Sequence, residues 1–264
     1  HTGCLLEMKG IKKSFHQNQV LKGIDLDVQA GEVHVLLGEN GAGKSTLIKI
    51  LTGAYQKDAG EIYWEGSIVH LDQPVDAMKL GIATIYQELN VIPELKVYEN
   101  IFLGRELKRG GKISLLHHRA MRKEAERCLE ILGQNPKLAN EQLGKLGIGQ
   151  QQLVEIAKAI ALEAKLIIMD EPTSSLSAQE VEQLYKVVEE LKKKGIAIIF
   201  ISHRLEEIKH LGDRITILRD GFKIKTLPVK TTEPDYWIEL MVGRTLDEKF
   251  PKHSFALGKE GFMR

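Results

Sequence analysis

The run Gly38-Glu39-Asn40-Gly41-Ala42-Gly43-Lys44-Ser45 limits what this chain can fold into more than any other feature. It fits the pattern Gly, four residues, Gly-Lys-Ser/Thr, and it follows Val33-His34-Val35-Leu36-Leu37, a short apolar stretch that reads as a buried strand. Past Thr46, Leu47, Ile48, Ile50 and Leu51 recur at helical spacing up to Gly53. In such a strand, loop and helix unit, glycines let the backbone curl so that successive N–H groups and the helix N-terminus face a chain of phosphates. Lys44 is then placed to reach the outer phosphates and the Ser45 hydroxyl to ligate Mg²⁺. A glycine turn that only capped a helix would explain neither the Lys-Ser pair nor the strand before it.

A second apolar strand, Leu166-Ile167-Ile168-Met169, ends in Asp170-Glu171. Two acids at the carboxyl end of a strand stand beside the crevice where open α/β sheets bind ligands. Next to a phosphate loop, Asp170 reads as a metal ligand, directly or through water, and Glu171 as the group that polarises the water attacking a γ-phosphate. Leu5–Phe15 and Val20–Val28 read as an antiparallel pair, 60–71 as a hairpin and Ile82–Tyr86 as a strand. From about Val97 to Gln142 the pattern turns helical and charged, with Met121, Ala125, Leu129 and Leu132 on one face. Helices Gln151–Glu163, Ala178–Lys194 and Leu205–Leu211 then alternate with strands Leu166–Met169, Ile196–Ile201 and Arg214–Leu218, and a last helix is expected around Tyr236–Met241. The fold class is α/β: a P-loop NTPase core with a mixed, mainly parallel sheet, an antiparallel β subdomain and an α-helical subdomain inserted at about 97–163.

Length and composition set outer limits. The 264 residues suit one large domain with an insertion, here 3–243, with 244–264 read as a linker or tail. Lys+Arg 37 against Asp+Glu 36 leaves a net charge of +1, without the basic excess of a general nucleic-acid binder, and no nucleic-acid partner is expected. Cys4 and Cys128 are far apart with no CxxC nearby, which excludes a disulfide framework and points to the cytosol; Cys128 reads as core packing. The longest apolar runs are far shorter than the ~20 residues of a membrane-spanning helix. His1-Thr2-Gly3 reads as a cut end and not as a leader peptide.

These motifs resemble the nucleotide-binding domains of ABC transporters, and the resemblance covers nearly the whole chain. It implies that Gly38, Asn40, Gly41, Ala42, Gly43, Lys44, Ser45 and Thr46 cradle ATP, and that Phe15, 29 residues before Lys44, stacks on adenine. Gln87 matches the family's glutamine that senses Mg·ATP and faces the transmembrane partner; with Ser45 and Asp170 it completes the metal set. Leu146-Gly147-Ile148-Gly149-Gln150 sits where the family carries its signature, so Gly147, Gly149 and Gln150 would touch nucleotide across a dimer. His203 matches the histidine that contacts the γ-phosphate, joining Lys44 and Glu171 as a catalytic residue.

More narrowly, Ile85-Tyr86-Gln87-Glu88-Leu89, Gly149–Ala159, Ile201-Ser202-His203-Arg204 and Met241-Val242-Gly243-Arg244 are similar to the N-terminal half of the tandem ATPase of ribose-type monosaccharide importers. That branch implies ATP and Mg²⁺ as cofactors and a second nucleotide-binding domain, tandem or homodimeric, as partner. It also implies transmembrane permease subunits, an external sugar-binding protein, and a peripheral place on the cytoplasmic side of the membrane. Two departures from the family pattern matter: Gly147 stands where the signature serine is usual, and Ser177 where an aspartate is usual. Because the family pairs head to tail, these departures imply unequal composite sites, the one built on Lys44 and Glu171 being the faster. A soluble ABC ATPase acting on ribosomes or DNA, a regulatory half, and a generic P-loop kinase are the competing readings.

Overall fold

A computed structural model describes residues 4–108 and 116–243; Gly3, Arg244 and the expected tail 244–264 lie outside the described residues. The chain opens with strands β1 (Cys4–Phe15) and β2 (Asn18–Gln29), then β3 (Val33–Leu37) and helix α1 (Lys44–Leu51). Next come β4 (Ala59–Trp64), β5 (Ser67–Ile68), helix α2 (Pro74–Lys79) and β6 (Ile82–Ile85). A helical stretch follows: α3 (Val97–Ile101), α4 (His118–Ile131), two short 3₁₀ turns, and α5 (Ile148–Ala161). The remainder alternates: β7 (Leu166–Asp170), α6 (Ala178–Lys193), β8 (Ala197–Ile201), α7 (Leu205–Leu211), β9 (Arg214–Arg219), β10 (Phe222–Pro228) and, after a 3₁₀ turn, α8 (Pro234–Val242).

Two sheets result. One is antiparallel, ordered β2-β1-β4-β5; the other is ordered β10-β9-β3-β8-β7-β6 and is parallel except for β10. This is the expected α/β class. Residues of the central strands alternate between two cores, as pleating requires of strands covered on both faces. Ile167, Met169, Ile198 and Phe200 face the core shared with α3, α4, α5 and α6. Leu166, Ile168, Ala197, Ile199 and Ile201 face the core shared with α1 and the antiparallel sheet. The helical stretch therefore packs on the same core as the sheet.

Three elements differ from the sequence reading. Strand β10 was not anticipated, although Asp220-Gly221 between two alternating runs is a hairpin signal; both residues take positive φ, 52° and 80°. Helix α2 is six residues long with one buried residue, Ala77, too little to set a helical apolar period in the sequence. Helix α5 begins at Ile148, three residues earlier than the pattern suggested, because its first turn carries Gly149 and an exposed Ile148 in place of an apolar stripe.

The phosphate-loop strand is anchored at its start by a buried polar network. Arg214 makes two 2.9 Å hydrogen bonds to Glu32 and pairs with Asp27 at 2.8 Å. His34, fully buried on β3, sits 3.0 Å from Glu32 and 2.7 Å from the Thr216 hydroxyl. Burial opposes ionisation of Glu32, but His34 and Arg214 overcome it and bring its pKa down from 4.5 to about 2. A carboxylate with a depressed folded-state pKa gives stability that is complete above the unfolded value and lost as pH falls. Stability is expected to decline as pH drops from 4.5 toward 2, which urea titrations at stepped pH will read. Glu32→Ala, which leaves Arg214 with Asp27 as its remaining carboxylate partner, is expected to cost about 1–3 kcal/mol at neutral pH.

Candidate functional site

The carboxyl ends of β3, β7 and β8 meet along one edge of the parallel sheet, and each delivers part of the site. After β3 the loop turns through Gly41 and Gly43, both at positive φ, into α1, whose first residue is Lys44. Gly43, at φ 105°, also passes so close to β2 that a Cβ would lie 2.6 Å from the Leu21 side chain. A Cβ on Gly38 would lie 2.5 Å from the Leu218 carbonyl of β9. The loop is thus wedged between neighbours that only glycine permits. Ala42 is buried and Thr46 half-buried, whereas Asn40, Gly41 and Ser45 are exposed along the rim.

Lys44 is 8% exposed, and its ammonium donates to the carbonyls of Gly38 at 2.5 Å and Glu39 at 3.1 Å. Burial lowers its pKa, opposed by the charges of Glu171 and Asp170. Asp170 ends β7 directly opposite Ile201 of β8, and burial together with the Glu171 charge pushes its carboxyl up. Glu171 takes a left-handed backbone, φ 47°, with its N–H donating to the Ile201 carbonyl at 2.9 Å. Such a conformation is uncommon for a non-glycine residue and is a recurrent feature of functional sites. Its carboxylate meets His203 Nε2 at 2.8 Å.

The structure thus brings Lys44, Asp170, Glu171 and His203 into one cluster. Gln87 is exposed and shares an open cleft of about 460 Å³ with Asp170. A second cleft, about 480 Å³, is walled by Glu39, Asn40, His203 and Met241, so a residue noticed only in the terminal motif stands beside the loop. A larger cleft of about 610 Å³ between α4 and α6 contains none of these side chains. Phe15 is 37% exposed and packs edge-on against Tyr55 with ring centroids 5.3 Å apart, and the Lys13 ammonium lies over its ring, 5.5 Å from the centroid.

Among the described residues, no hydrogen bond, ion pair or cleft of the cluster involves Gly147, Gly149 or Gln150. They lie at the start of α5, where Gly147 is the exposed N-cap, Gly149 is buried and Gln150 half-buried. The Gly149 N–H donates to Glu180 Oε1 at 3.0 Å. Glu180 Oε2 accepts both the N–H and the hydroxyl of Ser177, at 2.9 and 2.8 Å. Ser177, the second departure from the pattern, is therefore the N-cap of α6, and its hydroxyl makes a bond to Glu180 that an aspartate could not donate.

Hard oxygen donors suited to Mg²⁺ are present in the Asp170 carboxylate, the Ser45 hydroxyl and the Gln87 amide. Lys44 and the loop amides offer positive charge to phosphate oxygens. Such a constellation can bind a nucleoside triphosphate and orient water toward its terminal phosphate.

The family description for ABC transporters matches residues 21–174, more than half of the chain. The ribose import ATP-binding protein RbsA of Geobacillus kaustophilus is 48% identical over 97% of this chain and 51% of its own length. A putative ribose/galactose/methyl galactoside import ATP-binding protein of Burkholderia ambifaria is 47% identical over 94% of this chain and 47% of its own. This chain thus spans about half the length of the curated relatives it matches. A solved ATP-binding cassette of an ABC transporter, in its ADP conformation, superposes with a TM-score of 0.79 at 28% identity, covering 92% of this chain and all of that one.

Two substitutions check the local geometry by denaturant unfolding. Gly38→Ala is expected to destabilise the fold by roughly 1–3 kcal/mol, because a methyl there meets backbone. Gly147→Ser is expected to be neutral or stabilising by a few tenths of a kcal/mol, since a Cβ there meets nothing within 4 Å and serine is a good N-cap.

Proposed function

The chain belongs to the ABC transporter family, and on that premise we propose that it binds and hydrolyses ATP to power import of a ribose-type monosaccharide. The observation that carries the reading is the cluster of Lys44, Asp170, Glu171 and His203 at the mouth of the glycine loop. The transported substrate class follows from the relatives, which are ribose and ribose/galactose/methyl galactoside import ATP-binding proteins.

In this reading the γ-phosphate lies against Lys44 and the loop amides, whose positive charge offsets the charge it gains during transfer. Mg²⁺ would be held by Ser45, Asp170 and Gln87, and when bound it neutralises phosphate charge. Glu171 accepts a hydrogen bond from the attacking water and aims it in line. His203 steadies Glu171 through their 2.8 Å contact and faces the γ-phosphate with its exposed ring. Phe15, exposed at the surface, stacks on the adenine, the Lys13 ammonium over its ring giving way.

The separation of Gly147, Gly149 and Gln150 from the cluster supports a head-to-tail pair, in which this chain's signature serves the partner's nucleotide. The exposed Gln87 and Tyr86 support contact with membrane permease subunits, an external sugar-binding protein acting beyond them. The domain then sits as a peripheral subunit at the cytoplasmic face. Among the described residues no helix is long and apolar enough to cross a membrane.

Specific Mg²⁺-ATPase activity is expected to rise with protein concentration, since a site needs two domains. Glu171→Gln is expected to bind ATP as the parent does while turnover falls roughly 10²-fold or more; undiminished turnover removes Glu171 from its role. Gly147→Ser, by restoring a hydroxyl toward the partner's γ-phosphate, is expected to raise turnover about tenfold. An unchanged rate argues against the head-to-tail arrangement.

A further inference from the structure

Beyond the four cluster residues, one fully buried carboxylate touches both loops that carry the chemistry. Glu207, in the first turn of α7, is 1% exposed. Its Oε1 accepts the Thr173 hydroxyl at 2.7 Å, and its Oε2 accepts the Ser202 hydroxyl at 2.7 Å. Arg204 Nη1 pairs with Oε1 at 2.9 Å from the solvent side, and the Arg204 N–H donates to the Ser202 oxygen at 3.0 Å. Thr173 and Ser202 are each 3% exposed. Thr173 lies two residues beyond Glu171, and Ser202 immediately precedes His203.

A buried carboxylate costs several kcal/mol in lost hydration unless its lone pairs are filled, and apolar packing in the same volume is often the more stable choice. Here the lone pairs are filled by hydroxyls from two separate loops, which makes the carboxylate a cross-link. It is needed where it stands because the sheet has just ended: among the described residues, the bond from the Glu171 N–H to the Ile201 carbonyl is the last backbone hydrogen bond joining these two chain segments. Past it, Glu171 has a left-handed backbone and His203 an exposed ring, and neither loop has sheet pairing to fix it.

We infer that Glu207 is a positioning residue for phosphoryl transfer: by tying Thr173 to Ser202 it sets the Glu171–His203 contact in register for the γ-phosphate. The inference rests on the ATPase reading above for its consequence, but the cross-link itself can be tested without nucleotide. Glu207 touches no substrate in this account and acts only through its neighbours.

The test compares Glu207→Gln, Glu207→Ala, Thr173→Val and Ser202→Ala with the parent, measuring ATP affinity, kcat and the ¹⁵N resonances of the His203 ring. The two single-strut variants leave the carboxylate paired with Arg204, so they report even where Glu207→Ala does not fold. The expected result is ATP affinity within about twofold of the parent and kcat lower by roughly 10–100-fold. The His203 resonances should move in the same direction as in Glu171→Gln. In a Glu171→Gln background, Glu207→Gln should shift them no further. Folded variants that turn over at the parental rate, or a rate loss with unmoved His203 resonances, overturn the inference. A parent that binds no ATP defeats the ATPase reading instead, while the resonances still decide whether Glu207 sets the pair.

Discussion

The parallel register of β7 against β8 is the constraint on which the site depends. It places Asp170 opposite Ile201, so that Glu171 and Ser202 leave the sheet together and His203 comes within hydrogen-bonding distance of the Glu171 carboxylate. A slip of one residue would turn every side chain of β7 to the other face. Ile167 and Met169 would then exchange cores with Leu166 and Ile168, all of which are fully buried. Apolar alternation with no polar content therefore sets polar geometry a few residues away. β3 pairs with β8 on its other side, which brings the phosphate loop to the same edge.

Polar groups complete what packing begins, and they do so at both ends of β3. At its start, Glu32, Arg214, Asp27 and His34 form a network in which the charges have charged or hydrogen-bonding partners, and this joins β2, β3 and β9 beneath the loop. At its end, the Lys44 ammonium is buried with two carbonyls as its hydrogen-bond acceptors, and Asp170 is half-buried beside a like charge. The first arrangement stabilises the fold; the second leaves its charges without full compensation from protein partners. Strain sits with the second group too, in the left-handed Glu171.

Much of this was legible in the sequence because the informative residues are close together there. The loop from Gly38 to Ser45 and the strand ending in Asp170-Glu171 carry their chemistry in adjacent positions, and helix and strand periodicity fixed most element boundaries to within a residue or two. What the sequence did not reveal is made by distant residues. Nothing near Glu207 announces that Thr173 and Ser202 donate to it, nor that Glu180 reaches back 31 residues to Gly149. Ser177 looked like a departure from pattern and proves to be a helix cap coupled to Glu180. The hairpin at Asp220-Gly221 carries its signal in the sequence, but the strand it introduces has one buried residue, Leu227, and so lacks the apolar run of the central strands.

On the proposed function, the edge built from β3, β7 and β8 seats the ATP phosphates. Calorimetric titration of MgATP into the chain and into Lys44→Ala, with the fold of both verified by circular dichroism, tests it most directly. One ATP bound per chain is expected, with roughly a hundredfold or greater weakening in Lys44→Ala, because a buried charge-assisted contact to phosphate is lost. Binding of equal strength in the two proteins, or none in the parent, would contradict it.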